Sequence, residues 1–327
     1  MLHRTFVPSL IAFSLSMVAA TEAVAVGAQR TFVASSGNDA NPCSLAAPCR
    51  GFAAAITQTV SGGEIIVLDS AAYGPVSITQ AVAIIAPAGV YAGISVFSGV
   101  GVTIAAGASD VVVLRGLTIN GLGGTTGISV GSVGAVHIEN CEISGMSTNG
   151  ISTNTTGKLF VKDTVVRENV NGISLSSSTT PGIAALDRVH VLNNSNVGIW
   201  SLNAAASVRD GVVSGNLVGM IAGSFSAGQT PTLDVESSVI AENVQSGIQG
   251  ANAAGHGIIS VANSSIVGNA ASVGQGVGGG ASDVVRVSNT TIIGNGNGVG
   301  SAVISVGGNT VEGNNFSNTF TTTLSKK

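Results

Sequence analysis

From about Val111 onward, short apolar runs recur along the chain, cut at regular intervals by Gly, Asn and Ser. One stretch reads Leu159-Phe160-Val161, then Thr164-Val165-Val166, then Gly172-Ile173-Ser174-Leu175. Runs this short, rich in Val and Ile, read as strands; none keeps the period of about 3.6 residues that a helical repeat needs. Placing 161–169, 261–269 and 287–295 in register gives a column of Asn169, Asn193, Asn216, Asn243, Asn269, Asn295 and Asn314. Their spacings, by subtraction, are 24, 23, 27, 26, 26 and 19 residues. A second column holds Ile119, Ile143, Val166, His190, Val213, Ile240, Ile266, Ile292 and Val311. Periods of about 20–50 residues signal solenoids, propellers or arrays. Three short strands per period of this length fit a parallel β-helix, each turn lying about 4.8 Å above the last.

The columns then take physical roles. The aliphatic file points inward, with His190 a core histidine. The Asn file is a corner ladder, in which each amide bonds the backbone of one coil and the amide of the next. Ahead of the repeats, residues 51–60 place Phe52, Ala55, Ile56 and Val60 on one helix face, and residues 64–68 form a strand-like run. The predicted division is a signal peptide at 1–25, an N-terminal cap with a short helix at 26–63, an all-β parallel β-helix of about ten coils at 64–314, and a C-terminal cap or tail at 315–327.

Composition narrows the partners. Only 9% of the 327 residues are charged, against about 25% in ordinary globular proteins. The net charge of −4 and the lack of a basic stripe argue against nucleic acid. The mean hydropathy of +0.50 is high, but outside the N-terminus the apolar residues are dispersed and no membrane span is expected in the mature chain. His3 and Arg4, an apolar stretch over 6–20 and Ala23-Val24-Ala25 form an export signal, cleaved after Ala25 or Ala28. Cys43 and Cys49 lie in a Pro-rich loop and are expected to pair in the oxidising compartment that a secreted protein, periplasmic or extracellular, reaches. Cys141 belongs to a corner, as a small packed thiol.

Segments such as Ile138-Glu139-Asn140-Cys141-Glu142-Ile143-Ser144-Gly145 resemble the coils of right-handed parallel β-helix proteins of the pectin-lyase-like superfamily. The opening is similar too, in 31–39, in Pro48-Cys49-Arg50-Gly51-Phe52 and in Ile65-Ile66-Val67-Leu68. The resemblance covers nearly all of the mature chain. It implies a fold shared by polysaccharide lyases, glycoside hydrolases, epimerases, tailspikes and adhesins, and does not choose among them.

Candidate chemistry is sparse. The resemblance implies that a hydrolase would carry clustered Asp residues, a Gly-His-Gly element and an Arg-x-Lys element; only Gly255-His256-Gly257 is present, which makes His256 a weak catalytic candidate. A lyase would hold Ca²⁺ on acidic side chains. Asp163, Asp187 and Asp210 are read as one file on three successive coils, either capping corners or binding Ca²⁺, with Lys162, Arg188 and Arg209 beside them. Glu142 and Arg167 face outward as an ion pair or a substrate contact. The other outward positions, Val165, Val189, Val191, Val212, Ser214, Val239, Ala241, Thr291 and Ile293, are small and mostly apolar. Trp200 packs beneath a loop or stacks on a sugar. No organic cofactor is implied, and Ca²⁺ is the one metal candidate. The favoured function is non-catalytic binding of polysaccharide or another envelope or extracellular component. The alternative is a lyase or hydrolase of uronic-acid polymers.

Overall fold

The structure is a computed structural model that describes residues 27–155, 157–177, 182–223, 228–251, 256–270 and 274–324. The export signal expected at 1–25, Gly255 and the last three residues lie outside them. Strands repeat in threes and each pairs, in parallel, with its counterpart one coil on. They build a first sheet of 13 strands, a second of 11 and a third of 10. The single helix among the described residues, Phe52–Gln58, buries Phe52 and Ala55 at one end. It is shorter than the sequence pattern predicts, because the chain turns extended at Thr59 and runs as one strand, Thr59–Val67. That strand pairs with Ala28–Val33, so the first sheet begins inside the cap. At the other end, Thr322–Thr323 adds a last short strand beside Ile304 and Ser305.

Alternation within each strand sends one set of side chains inward. Val136 and Ile138 of the first sheet, Ile143 of the second and Ile151 of the third are each fully buried. Their equivalents on the next coils are again Val, Ile, Leu, Ala or Met. Burying each large aliphatic side chain contributes on the order of 1.5–3 kcal/mol. A row of like residues one rung apart therefore makes the core continuous along the axis.

Sharp corners separate the sheets. Between the first and second, one residue per coil is left-handed: Asn140, Asp163, Arg188, Asp210, Ser237, Asn263 and Asn289 have φ of 46–52°. Asn and Asp tolerate this region better than other non-glycine residues, which explains their prevalence. Between the second and third sheets the left-handed position falls to Glu168, Asn193 and Glu242, or to glycine at Gly145, Gly215, Gly268, Gly294 and Gly313.

The buried Asn ladder follows that second corner: Asn169, Asn194, Asn216, Asn243, Asn269, Asn295 and Asn314. From Asn169 to Asn295, each Nδ2 donates to the Oδ1 of the next coil's Asn at 2.8–3.0 Å, so these amides all point one way. The same Oδ1 accepts a backbone N–H, as Asn243 Oδ1 does from Asn216 N at 3.1 Å. This corrects one member of the expected column. Asn193 is exposed and left-handed, and its neighbour Asn194 is the ladder residue. The same one-residue slip moves the whole coil. Val191, not His190, pairs with Val166 and Val213, and His190 is exposed. Val189 and Val191, read as outward, are fully buried. An Asn-Asn pair at the corner invites the error; only the second of the two points inward.

Cys43 and Cys49 form the expected disulfide, with Cα atoms 4.6 Å apart. Cys141 is a buried free thiol whose pKa burial pushes up to about 11, which keeps it inert. Asp69 ties the cap together. Its carboxylate accepts from Ser35 Oγ at 2.6 Å, from Tyr73 OH at 2.5 Å and from Ser35 N at 2.7 Å.

Candidate functional site

The outer face of the first sheet carries the longest organised surface. Register places Arg115, Glu139, Lys162, Asp187, Arg209 and Glu236 in one file on successive coils. Charge alternates strictly along it. Unlike charges are one rung apart, about 4.8 Å, while like charges are two rungs apart, on the order of the Debye length in physiological salt. Arg115 Nη2 lies 2.7 Å from Glu139 Oε2, and Arg209 Nη2 lies 2.6 Å from Glu236 Oε2. These pairs are exposed, so each adds little stability. Their consequence is electrostatic: the file has no net charge to offer a polyanion.

Beside it runs a file without Asp, Glu, Lys or Arg from Val113 through His137, Phe160 and Ala185 to Ser207, which meets Asp234 on the next coil. His137 and Phe160 stack, with ring centroids 4.7 Å apart and planes within 16°. That separation is simply the rung spacing, so parallel pairing positions the rings. Ala185 and Ser207 are small, and the far side of Phe160 therefore opens onto a step in the surface. Ile183 borders it, 48% exposed.

Around the corner, Asp163, Thr164, Val165, Arg188, His190 and Asp210 line a shallow depression of about 430 Å³. Here the slip matters again. Asp163, Arg188 and Asp210 share the left-handed file, and Asp187 stands in the alternating file beside Lys162 and Arg209. The three aspartates therefore do not form one column; an arginine separates two of them. Arg188 Nε donates to Asp163 Oδ1 at 2.6 Å, and its Nη1 lies 2.8 Å from Asp187 Oδ2. The hydrogen bond from Arg188 holds the Asp163 carboxyl below its usual range, and the same bond raises the Arg188 pKa. Among the described residues, no group of three or more His, Cys, Asp or Glu side chains converges where it could hold a metal ion.

The remaining candidates are dispersed. Glu142 Oε1 binds Arg167 through Nη2 at 2.6 Å and Nε at 2.9 Å, and Arg167 also reaches Glu168 at 2.7 Å. Glu142 raises the Arg167 pKa by that contact. His256 is exposed, far in sequence from these acids, and its backbone N–H donates to Gln229 O at 3.2 Å. Trp200 lies half-buried on the third sheet, against Val197, Val218 and Ile221. Two polar features escaped the sequence reading. Asp283 is buried and accepts from Gly257 N and Gly280 N, each at 2.7 Å. A second ladder of hydroxyls, Thr164, Ser238, Ser264 and Thr290, caps the first corner, Ser238 N donating to Ser264 Oγ at 3.1 Å. Its signal was a Ser or Thr directly after four of the seven left-handed residues, Asp163, Ser237, Asn263 and Asn289.

No family model and no curated protein sequence matches the chain. Solved structures do. A pectate lyase superposes with a TM-score of 0.65 at 15% identity, over 86% of this chain and 78% of the lyase. The fold is a right-handed parallel β-helix of the pectin-lyase-like type. The A-module of an Azotobacter vinelandii mannuronan C-5 epimerase matches with a TM-score of 0.54 at 16% identity, over 77% of this chain and 87% of the module. A periplasmic alginate epimerase gives 0.54 at 12% identity, over 80% of this chain and 74% of its own. At such identities the likeness concerns the fold.

Proposed function

We propose that this is an exported β-helix protein that binds a polysaccharide along the outer face of its first sheet without cleaving it. The observation that carries this reading is the pairing of an open aromatic step, His137 and Phe160, with a neighbouring file whose acids each face a cation. Aromatic faces stack on sugar rings through their C–H bonds, and the small floor at Ala185 and Ser207 leaves room for one. Acid–base cleavage needs two carboxyls free to trade protons across the glycosidic bond. Glu139, Asp187 and Glu236 instead stand beside arginine or lysine. The Cys43–Cys49 bridge supports export, as does the polysaccharide chemistry of proteins with the same fold.

A panel of soluble polysaccharides, read for retention in native gels and for new reducing or unsaturated ends, tests this. Retention on at least one polymer, weakened about tenfold or more by Phe160→Ala, with no new ends, supports it. A second reading is catalysis on a uronic-acid polymer, favoured by the depression where His190, Asp163 and Asp210 surround Arg188. A Ca²⁺ site using Asp163, Asp187 or Asp210 belongs to that reading. Turnover abolished by Asp163→Ala, or calorimetric heat on adding Ca²⁺ that Asp163→Ala and Asp187→Ala remove, would establish it over the first.

A further inference from the structure

The second sheet presents a different outer face near its N-terminal end. Tyr91 precedes the strand Ala92–Val96 and Phe97 follows it, so the two rings flank about 16 Å of strand. Tyr91 is 45% exposed and Phe97 71%. The Tyr91 ring runs along the strand: its phenol end lies over Gly93, and Asn120 Nδ2 approaches its hydroxyl at 3.3 Å on the next coil. Gly93 is what admits the ring, because a Cβ there would sit 2.7–2.9 Å from Cε1, the hydroxyl and Cζ.

Between the two rings the surface is polar and uncharged. Ser95 is in register with Asn120, and Asn120 with Ser144. Asn120 Oδ1 accepts from Ser144 Oγ at 3.1 Å, which leaves the amide a second N–H and a second lone pair for a ligand. On one side the face runs on to Glu142 and Arg167, closed on one another at 2.6 Å; on the other, Arg50 is turned onto the backbone, its Nη1 donating at 2.7 Å to Ala72 O one rung before Gly93. Two exposed rings separated by hydroxyls and an amide match a run of neutral pyranose rings, whose faces are apolar and whose rims are hydroxyls. A second protein surface would instead meet an apolar patch broken by polar groups needing partners.

We propose that Tyr91, Phe97 and Asn120 form a second polysaccharide subsite, for an uncharged glycan, on the outer face of the second sheet. It rests on the polysaccharide-binding reading but uses a different face, so the two can fail separately. The test is native affinity electrophoresis of the full chain in gels cast with galactomannan, xyloglucan, polygalacturonate or alginate. Variants Tyr91→Ala, Phe97→Ala, Gly93→Ala and Phe160→Ala run beside the wild type, each checked for an unchanged thermal midpoint. The expected result is retention by a neutral polymer that is unaffected by salt and falls at least fivefold with Tyr91→Ala and with Phe97→Ala. Gly93→Ala should reproduce the Tyr91→Ala loss, since the backbone there accepts alanine and only the ring must move. Retention that falls with Phe160→Ala but not with Tyr91→Ala overturns the second subsite and leaves the first. Retention on the acidic polymers alone, or a concentration-dependent dimer abolished by Phe97→Ala, also overturns it. No retention in any gel removes both.

Discussion

Replacing Asn194 by Leu gives a direct measure of what the ladder contributes. Asn194 Oδ1 accepts from both the backbone N and the Nδ2 of Asn169, each at 3.0 Å. Its own Nδ2 donates to Asn216 Oδ1 at 2.9 Å. Leucine is similar in size, so packing is largely kept while two buried Asn169 donors lose their acceptor. An orphaned buried donor costs about 1–3 kcal/mol, giving a loss of about 2–6 kcal/mol. At about 2 °C per kcal/mol for a chain of this length, the thermal midpoint should fall by about 4–12 °C. Asn193→Gly is the matched control. Its side chain is exposed and its φ of 53° suits glycine, so the midpoint should move by no more than about 1–2 °C. Differential scanning calorimetry of both variants, with urea melts to check the slope, reads the difference. If Asn193→Gly were the damaging change and Asn194→Leu the silent one, the register described for this coil would be wrong.

Other outcomes follow from the same geometry. Asn194→Leu and Asn269→Leu lie three coils apart, so their losses should add within about 0.5 kcal/mol in a double variant; clear non-additivity would mean that the ladder acts as one cooperative chain. Arg188→Asn keeps a residue suited to φ 49° but removes the donor to Asp163. Asp163 is depressed when folded, so its contribution is present above the unfolded value near 3.8 and lost as pH falls through the folded one. In the variant, a carboxyl NMR titration should return Asp163 toward 3.8, and an unmoved titration would deny the contact. Replacing Cys43 and Cys49 by Ala opens a short loop and should cost about 2 kcal/mol; an unchanged urea midpoint would show that the cap is held by the Asp69 cluster alone. Asp283→Ala strands the N–H groups of Gly257 and Gly280 and should destabilise by about 2 kcal/mol or more, measured by urea melts, with Asp283→Asn milder.

The fold was legible because its information is repetitive. Inward Ile and Val recur once per coil, and any three coils suffice to set the register. Reading failed where a coil offers two equivalent residues in succession. At Asn193-Asn194 and Asp187-Arg188 the chemistry permits either register, and only the left-handed backbone decides which residue takes the corner. That one slip put His190 in the core, placed Asp187 in a corner file and suggested a three-aspartate column. The surface was less legible still. The alternation from Arg115 to Glu236 and the His137–Phe160 stack are relations between coils about 24 residues apart, invisible until the register is right. Tyr91 over Gly93 has no sequence signal beyond a tyrosine two residues before a glycine.

Size-exclusion chromatography with light scattering, run on a polysaccharide that retains the protein, reads binding and polymer length in one trace. After prolonged incubation the protein should elute with the polymer, the polymer's mass should be unchanged, and a much smaller share of Phe160→Ala should travel with it. A polymer mass that falls with time, or wild-type protein that elutes alone beside intact polymer, would contradict the claim that this surface holds a glycan without cutting it.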